Sequence, residues 1–243
     1  MVRIMNALNG SINTDVEEFE IDRYRMMEGI HPPVPLYKSA MSVAVPRRAA
    51  NFMAKSRKVK ALLTYLNETW VPDESFWTSV AGNAVCKSNN VEYICHICFR
   101  TVIRAPGSFR ARDILWLRKH LTMSPTNYQR VDHVGTSYIG RYQVWEWQKP
   151  CRGRIASWSC VFGVYDMWEV SRRPELVAHK LYLDQEPAAY LCLLKEIRRR
   201  SYNPIDFDAT SYAEMPTVEL SNGKRITELK HPDWLMRSSF YRR

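Results

Sequence analysis

The sequence predicts a mixed fold of helices and short strands, and three observations predict it. Apolar residues recur at helical spacing in two long segments, 47–67 and 187–199, as on helices with one buried face. β-rich runs at 39–45 and 157–164 are interleaved with these segments. Apolar residues make up 46% of the 243 positions, enough to fill a substantial core, and with only nine glycines the chain is not a low-complexity one.

In chain order, residues 1–8 read as the end of a helix stopped by Asn9-Gly10. The stretch 15–25 runs from acidic to basic. His31-Pro32-Pro33-Val34-Pro35 has to be extended, because successive prolines exclude helix. Residues 39–45 are expected as a buried strand. Pro46 is expected as the first helical residue of one long helix through 67, with Ala49, Phe52, Met53, Val59, Leu62, Leu63 and Leu66 close to helical spacing. Trp70-Val71-Pro72 breaks it. Asp73 is then the expected N-cap of a helix over 74–80 ended by Gly82-Asn83. Residues 84–104 are β-rich and cysteine-bearing, without a clear partner element. A helix is expected at 111–121, a strand or loop at 138–147, a strand at 157–164, a short helix around 166–170 and an amphipathic helix at 187–199. Residues 201–243 read as a wrapping tail of strand- or turn-like pieces.

The net charge of +10 raises the question of a nucleic-acid partner. The basic clusters, at Arg47-Arg48, 55–60, 198–200 and Arg242-Arg243, are spread along the chain instead of being gathered with aromatic readers on one element. Solvated helix faces and attraction for a phosphate-bearing small molecule account for the charge, and no nucleic acid is expected. No apolar run approaches the roughly 20 residues that cross a bilayer, and Met1-Val2-Arg3-Ile4-Met5 lacks the apolar core of a signal peptide. Six cysteines and two glycosylation sequons, at Asn9 and Asn67, lean toward an oxidising compartment.

Four constellations carry chemistry. In Pro72-Asp73-Glu74-Ser75-Phe76-Trp77, a carboxylate in the first helical turn faces unpaired N–H groups and stays ionised, as a general base requires; the competing reading is a capping Asp followed by a Glu that complements the helix dipole. In Arg141-Tyr142-Gln143-Val144-Trp145-Glu146-Trp147, alternating tryptophans suit carbohydrate, whose C–H faces stack on indole; two core aromatics on one strand face would look the same. Cys151 and Cys160 flank a glycine-bearing turn and either close a hairpin disulfide or are two buried thiols. Lys180, in Leu176-Val177-Ala178-His179-Lys180-Leu181, is a candidate phosphate ligand or a snorkelling surface lysine. Cys86, Cys95, His96 and Cys98 invite a zinc reading, but a single Cys-x-x-Cys with no second pair does not make a finger, and no metal is expected.

Together these pieces resemble the core-2/I-branching β-1,6-N-acetylglucosaminyltransferase family, which also includes the peptide O-xylosyltransferases. The blocks that carry the likeness are Pro35-Leu36-Tyr37-Lys38-Ser39, Pro72-Asp73-Glu74-Ser75-Phe76-Trp77, Pro106-Gly107-Ser108-Phe109, the 141–147 run, the 151–163 run continuing through Asp166, Pro174-Glu175-Leu176-Val177-Ala178-His179-Lys180, and Pro187-Ala188-Ala189-Tyr190-Leu191-Cys192-Leu193. They stand in the family's order and span most of this chain, but only the C-terminal half of a family catalytic domain.

The resemblance implies an α/β fold of the GT-A type, here the C-terminal portion of a mixed sheet flanked by helices. One partial glycosyltransferase domain would occupy 1–243, with 84–104 as an insertion and 201–243 as the wrapping tail. It implies an inverting, metal-independent transfer of N-acetylglucosamine from UDP-GlcNAc to an O-glycan acceptor. A xylosyltransferase-like activity and a non-catalytic carbohydrate-binding remnant are the alternatives. By resemblance Glu74 is the catalytic base, Lys180 a ligand of the donor diphosphate, and Trp145 and Trp147 the acceptor-lining pair. Cys151–Cys160 matches a family disulfide, and Cys192 matches a cysteine whose partner lies upstream of this chain. The expected setting is the lumenal side of the Golgi membrane, held by an N-terminal anchor outside this chain, with Asn9 and Asn67 as glycosylation sites. Three departures matter: the family's second diphosphate-binding residue, an Arg, falls on Ser157, with Arg152 or Arg154 as alternative cations from other turns of the loop; residues 84–104 stand where family members have a short connection; and the family's nucleotide-binding strands are expected upstream of position 1.

Overall fold

The computed structural model describes residues 1–23, 31–83, 103, 105–121, 138–147, 151–204 and 209–229. Within them the helices are α1 (Val2–Ala7), α2 (Arg47–Lys55), α3 (Arg57–Leu66), α4 (Asp73–Ala81), α5 (Ala111–Leu121), α6 (Met167–Val170), α7 (Pro187–Tyr202), α8 (Thr210–Ala213) and α9 (Pro216–Ser221). The strands are β1 (Glu17–Glu18), β2 (Tyr37–Lys38), β3 (Tyr142–Gln143), β4 (Arg154–Ala156), β5 (Ser159–Val161) and β6 (Ala178–His179). The described residues thus form a mixed α/β structure. Its strands make three two-stranded ladders, β1–β2 and β4–β5 antiparallel and β3–β6 parallel, in place of one mixed sheet.

Several expected elements differ, among them the strand at 157–164, of which only Ser159–Val161 is strand because Ser157 and Trp158 form a turn. The helix across 47–67 is two helices, because Ser56 turns extended at φ −72°, ψ 123° and its Oγ accepts from Val59 N at 3.4 Å. In an unbroken helix the buried Met53 and Val59, six residues apart, would point about 120° away from each other; the break brings both into the core. Pro46 is accordingly the cap of α2 and not its first residue. The strand expected at 39–45 is absent apart from a bridge between Ala44 and Asn13, since the Ser39 N–H is satisfied by the Glu74 carbonyl instead of a ladder. Pro72 occupies the cap position of α4, and Asp73 is its first helical residue without a side-chain capping bond. The described part of the tail holds α8, α9 and turns, including a 3-10 turn at Ile226–Glu228, and no strand. The expected insertion 84–104 lies outside the described residues apart from buried Ile103, and with it lies the zinc reading of Cys86, Cys95, His96 and Cys98.

Three apolar clusters hold the candidate site residues in place. The largest gathers Val16, Tyr37, Leu62, Leu66, Val80, Phe109 and Ile114, and it takes in Leu220 and Leu229 from the C-terminal segment. A second joins Ile4 and Leu8 of the N-terminal segment to Ile139, Tyr212, Met215 and Val218. The third packs Tyr142, Val144, Cys160, Phe162, Met167, Val170 and Ala189. The segment 12–16 ties the first cluster to the second: Thr14 Oγ1 and Thr78 Oγ1 share a buried hydrogen bond at 3.4 Å, while Asn13 Oδ1 accepts from Ile139 N at 2.9 Å.

The β4–β5 hairpin turns on Ser157 and Trp158, at φ +46° and +63°, between the paired residues Ala156 and Ser159. Left-handed backbone at two non-glycine residues costs roughly 1–2 kcal/mol each. At its base, Gly153 is required by close approach: a Cβ there would lie 2.0 Å from the Val161 carbonyl oxygen.

Candidate active site and aromatic strip

Glu74 sits in the first turn of α4, just after Val71, whose φ of +53° is a strained value for a β-branched residue. Its carboxylate is engaged on one side only. Glu74 Oε2 accepts from Arg23 Nη2 at 2.8 Å, and among the described residues Oε1 has no hydrogen-bond partner. Arg23 is 6% exposed. Its Nε donates to Glu20 Oε2 at 2.7 Å, and Glu20 in turn pairs with Lys38 at 2.5 Å, which also reaches Glu17 at 3.3 Å. Burial opposes the Arg23 charge, but the hydrogen bonds with Glu74 and Glu20 outweigh it and raise its pKa.

Two blocks of the sequence meet at Glu74. The Ser39 N–H and Oγ both donate to the Glu74 carbonyl oxygen, at 2.5 and 2.9 Å, and Tyr37 N donates to Ser79 Oγ at 2.9 Å. Arg23 went unrecognised in the sequence because it stands in an acidic-to-basic run with no spacing signal. Its role rests on a contact with a residue 51 positions away.

Lys180 and the tryptophans flank the third cluster in the chain, Lys180 beside Leu181 and Trp145 beside Val144. Lys180 is 7% exposed, which removes the surface-lysine reading. Its backbone N–H donates to Cys160 O at 3.2 Å and its carbonyl accepts from Phe162 N at 3.0 Å, so the β4–β5 hairpin fixes its position. Among the described residues its ammonium has no carboxylate within ion-pair distance, and its neighbour is the Tyr182 ring, at 5.5 Å. Trp145 and Trp147 stack with centroids 5.4 Å apart and planes within 4°. Trp147 is 64% exposed, so this pair is not a core feature. Trp145 bridges Ser159, and Glu146 N donates to Trp158 O at 2.9 Å.

Cys151 and Cys160 are bonded as a disulfide. Asp166 lies close enough to both sulfurs to suggest a metal set, but bonded sulfurs offer no thiolate, and the Asp166 carboxylate accepts from Gly163 N and Arg152 N. Cys192 is an exposed free thiol. The Asn9 and Asn67 side chains are both exposed, Asn9 Nδ2 donating to Asn222 Oδ1 at 3.2 Å. Among the described residues no hydrogen bond or ion pair joins Glu74 to Lys180, Trp145 or Trp147. No described helix is long and apolar enough to cross a membrane.

Set beside known proteins, the chain shows a distant likeness to a glycosyltransferase; no family model matches it. That relative is the human beta-1,3-galactosyl-O-glycosyl-glycoprotein beta-1,6-N-acetylglucosaminyltransferase, 20% identical over 229 residues, which cover 83% of this chain and 45% of that protein. The chain therefore spans less than half the length of this relative.

Proposed function

We propose that this chain is part of a glycosyltransferase that moves N-acetylglucosamine from UDP-GlcNAc onto an O-glycan acceptor, with inversion and without a metal. The observation that carries the reading is the Glu74 carboxylate, anchored through Oε2 on buried Arg23 with Oε1 left available. Oε1 takes the proton from an acceptor hydroxyl as that oxygen attacks the anomeric carbon from the face opposite UDP. The bond from the anomeric carbon to the diphosphate oxygen breaks, and its electron pair leaves with UDP. Lys180, buried beside an aromatic ring and without a carboxylate among the described residues, is suited to offset the developing diphosphate charge. The stacked Trp145–Trp147 pair is suited to the apolar face of an acceptor sugar. The likeness to an N-acetylglucosaminyltransferase supports the class of reaction. The disulfide and the exposed sequon asparagines fit a lumenal Golgi setting.

The test is transfer by the intact protein with UDP-GlcNAc and UDP-xylose offered in parallel. Glucosaminyl transfer that Glu74→Gln abolishes, with folding retained, is the expected result. Full activity in that variant removes Glu74 from the mechanism, and xylosyl transfer redirects the donor assignment. A second reading, a carbohydrate-binding remnant, is favoured by Ser157: its hydroxyl stands in the hairpin turn where the resembling family has a diphosphate-binding Arg. Glycan binding without UDP binding would support it.

A further inference from the structure

The strand that carries the two tryptophans has a second feature on the same face. From Arg141 to Trp145 burial alternates, with Tyr142 and Val144 buried at 7% each and Arg141, Gln143 and Trp145 half-buried. Successive residues of an extended strand point to opposite faces, so Arg141, Gln143 and Trp145 share one, and Trp147 joins it through its stacking on Trp145. Strand β6 runs parallel beside it, in the register Tyr142 to Ala178 and Gln143 to His179. His179 therefore stands next to Gln143 on this face and diagonal to Arg141.

Three polar side chains thus continue the tryptophan strip, and all three are half-buried. Among the described residues none of Arg141, Gln143 and His179 makes a side-chain hydrogen bond, and Arg141 has no carboxylate within ion-pair distance. Glu175, the acid near the start of this strand, is engaged by Arg173 through two hydrogen bonds at 2.6 and 3.0 Å. Burial first, then Arg141, then Lys180, lower the His179 pKa, so the ring stays uncharged beside the Arg141 guanidinium. A half-buried guanidinium that meets no carboxylate among the described residues favours an anion beside it. Residues two apart on a strand stand roughly 6.5 Å from each other, a spacing comparable to that of successive sugar rings.

We infer that Arg141, with Gln143 and His179, forms an anion subsite at the end of the Trp145–Trp147 strip, recognising a carboxylate- or sulfate-bearing sugar of the acceptor glycan. The inference rests on the reading of the tryptophan pair as the acceptor platform. The guanidinium fork matches a carboxylate or sulfate in two parallel hydrogen bonds, the Gln143 amide and a neutral His179 ring add uncharged donors, and the indoles hold the neighbouring ring.

The experiment compares binding to the full chain by calorimetry of a neutral galactose-terminated oligosaccharide and of its sialylated and sulfated counterparts, with UDP titrated separately. The expected result is that the anionic glycans bind about tenfold tighter than the neutral one, the worth of one charge-assisted hydrogen bond. Arg141→Gln should erase that preference while leaving the neutral glycan and UDP affinities unchanged, and Arg141→Lys should restore part of it. Should Arg141→Gln fail to fold, His179→Gln is expected to reduce the preference with neutral binding intact. No anionic preference in the parent chain, or one that survives Arg141→Gln, overturns the inference. So does a loss of UDP affinity in Arg141→Gln, which would assign the cation to the donor. Trp147→Ala reads the platform separately: unchanged neutral-glycan binding there would sink the acceptor reading itself, a failure distinct from a lost charge preference.

Discussion

Arg23 Nη2 lies 2.8 Å from Glu74 Oε2, and it joins a helix N-terminus to a segment 51 residues upstream. The pair has unequal surroundings: the Arg23 side chain is 7% exposed and that of Glu74 24%. The guanidinium is the fixed partner, and among the described residues the second carboxylate oxygen has no hydrogen-bond partner.

Glu74→Gln keeps the shape and a hydrogen bond with Arg23 but removes the carboxylate proposed as base. Transfer should fall by about 10²–10⁴-fold, the usual contribution of general-base catalysis. Circular-dichroism melts of the variant should stay close to the parent. Arg23→Ala should cost roughly 1–3 kcal/mol of stability, because hydrogen bonds to charged groups are lost, and should also lower the rate by freeing the Glu74 rotamer. Denaturant midpoints and initial rates check the two effects.

Trp147 is 64% exposed and its main described contact is the stack on Trp145. Trp147→Ala should leave the melting temperature nearly unchanged. It should raise the acceptor KM by about tenfold, the worth of one aromatic contact, while the donor KM stays put. A large drop in stability would show the indole to be structural.

Reducing Cys151–Cys160, or replacing both with Ala, opens a short loop closed across nine positions. The chain-entropy account puts the loss at about 2–3 kcal/mol. Since Lys180 is hydrogen-bonded through its backbone to Cys160 and Phe162, UDP affinity should weaken along with the hairpin. Thermal melts and UDP titrations with and without reductant read both.

Three of the groups with shifted pKa values give testable pH limbs of stability. Burial works to raise the Glu20 pKa, but Lys38 and Arg23 hold it below the ordinary 4.5. Its contribution is present above 4.5 and lost as pH falls through the lower folded value. His179, lowered from 6.5 by burial and then by Arg141 and Lys180, has the same sign: below 6.5 the unfolded chain takes up the proton more readily, and stability declines. Tyr138 is the reverse. Burial pushes its pKa from 10.0 up to about 12, so its contribution is present below 10.0 and lost as pH rises through about 12. Denaturant midpoints across this range should show Glu20→Gln and His179→Gln flattening the acid limb and Tyr138→Phe the alkaline one.

Much of the local structure was legible in the sequence. Helix α5 begins and ends where apolar spacing placed it, Pro187 opens α7, and Asn9-Gly10 follows α1. These signals act over a few residues, through backbone sterics and a single periodic face. The disulfide hairpin was legible as one of two alternatives, and bonding settled it. Ser39 was misread as part of a strand because its extended, apolar surroundings suit a ladder equally well; a helix carbonyl captured its N–H instead.

The sequence by itself singled out the candidate residues: a carboxylate at a helix start, two tryptophans at alternate strand positions, a lysine among apolar neighbours. Only the tertiary structure decided what each one meets. Burial turned Lys180 from a surface residue into an enclosed cation, and stacking left Trp147 exposed beside Trp145. Arg23 came to Glu74 from a charged run that held no pattern. Backbone propensity and periodicity are local and can be read along the chain, whereas an ion pair between residues 51 apart depends on packing that no short window contains.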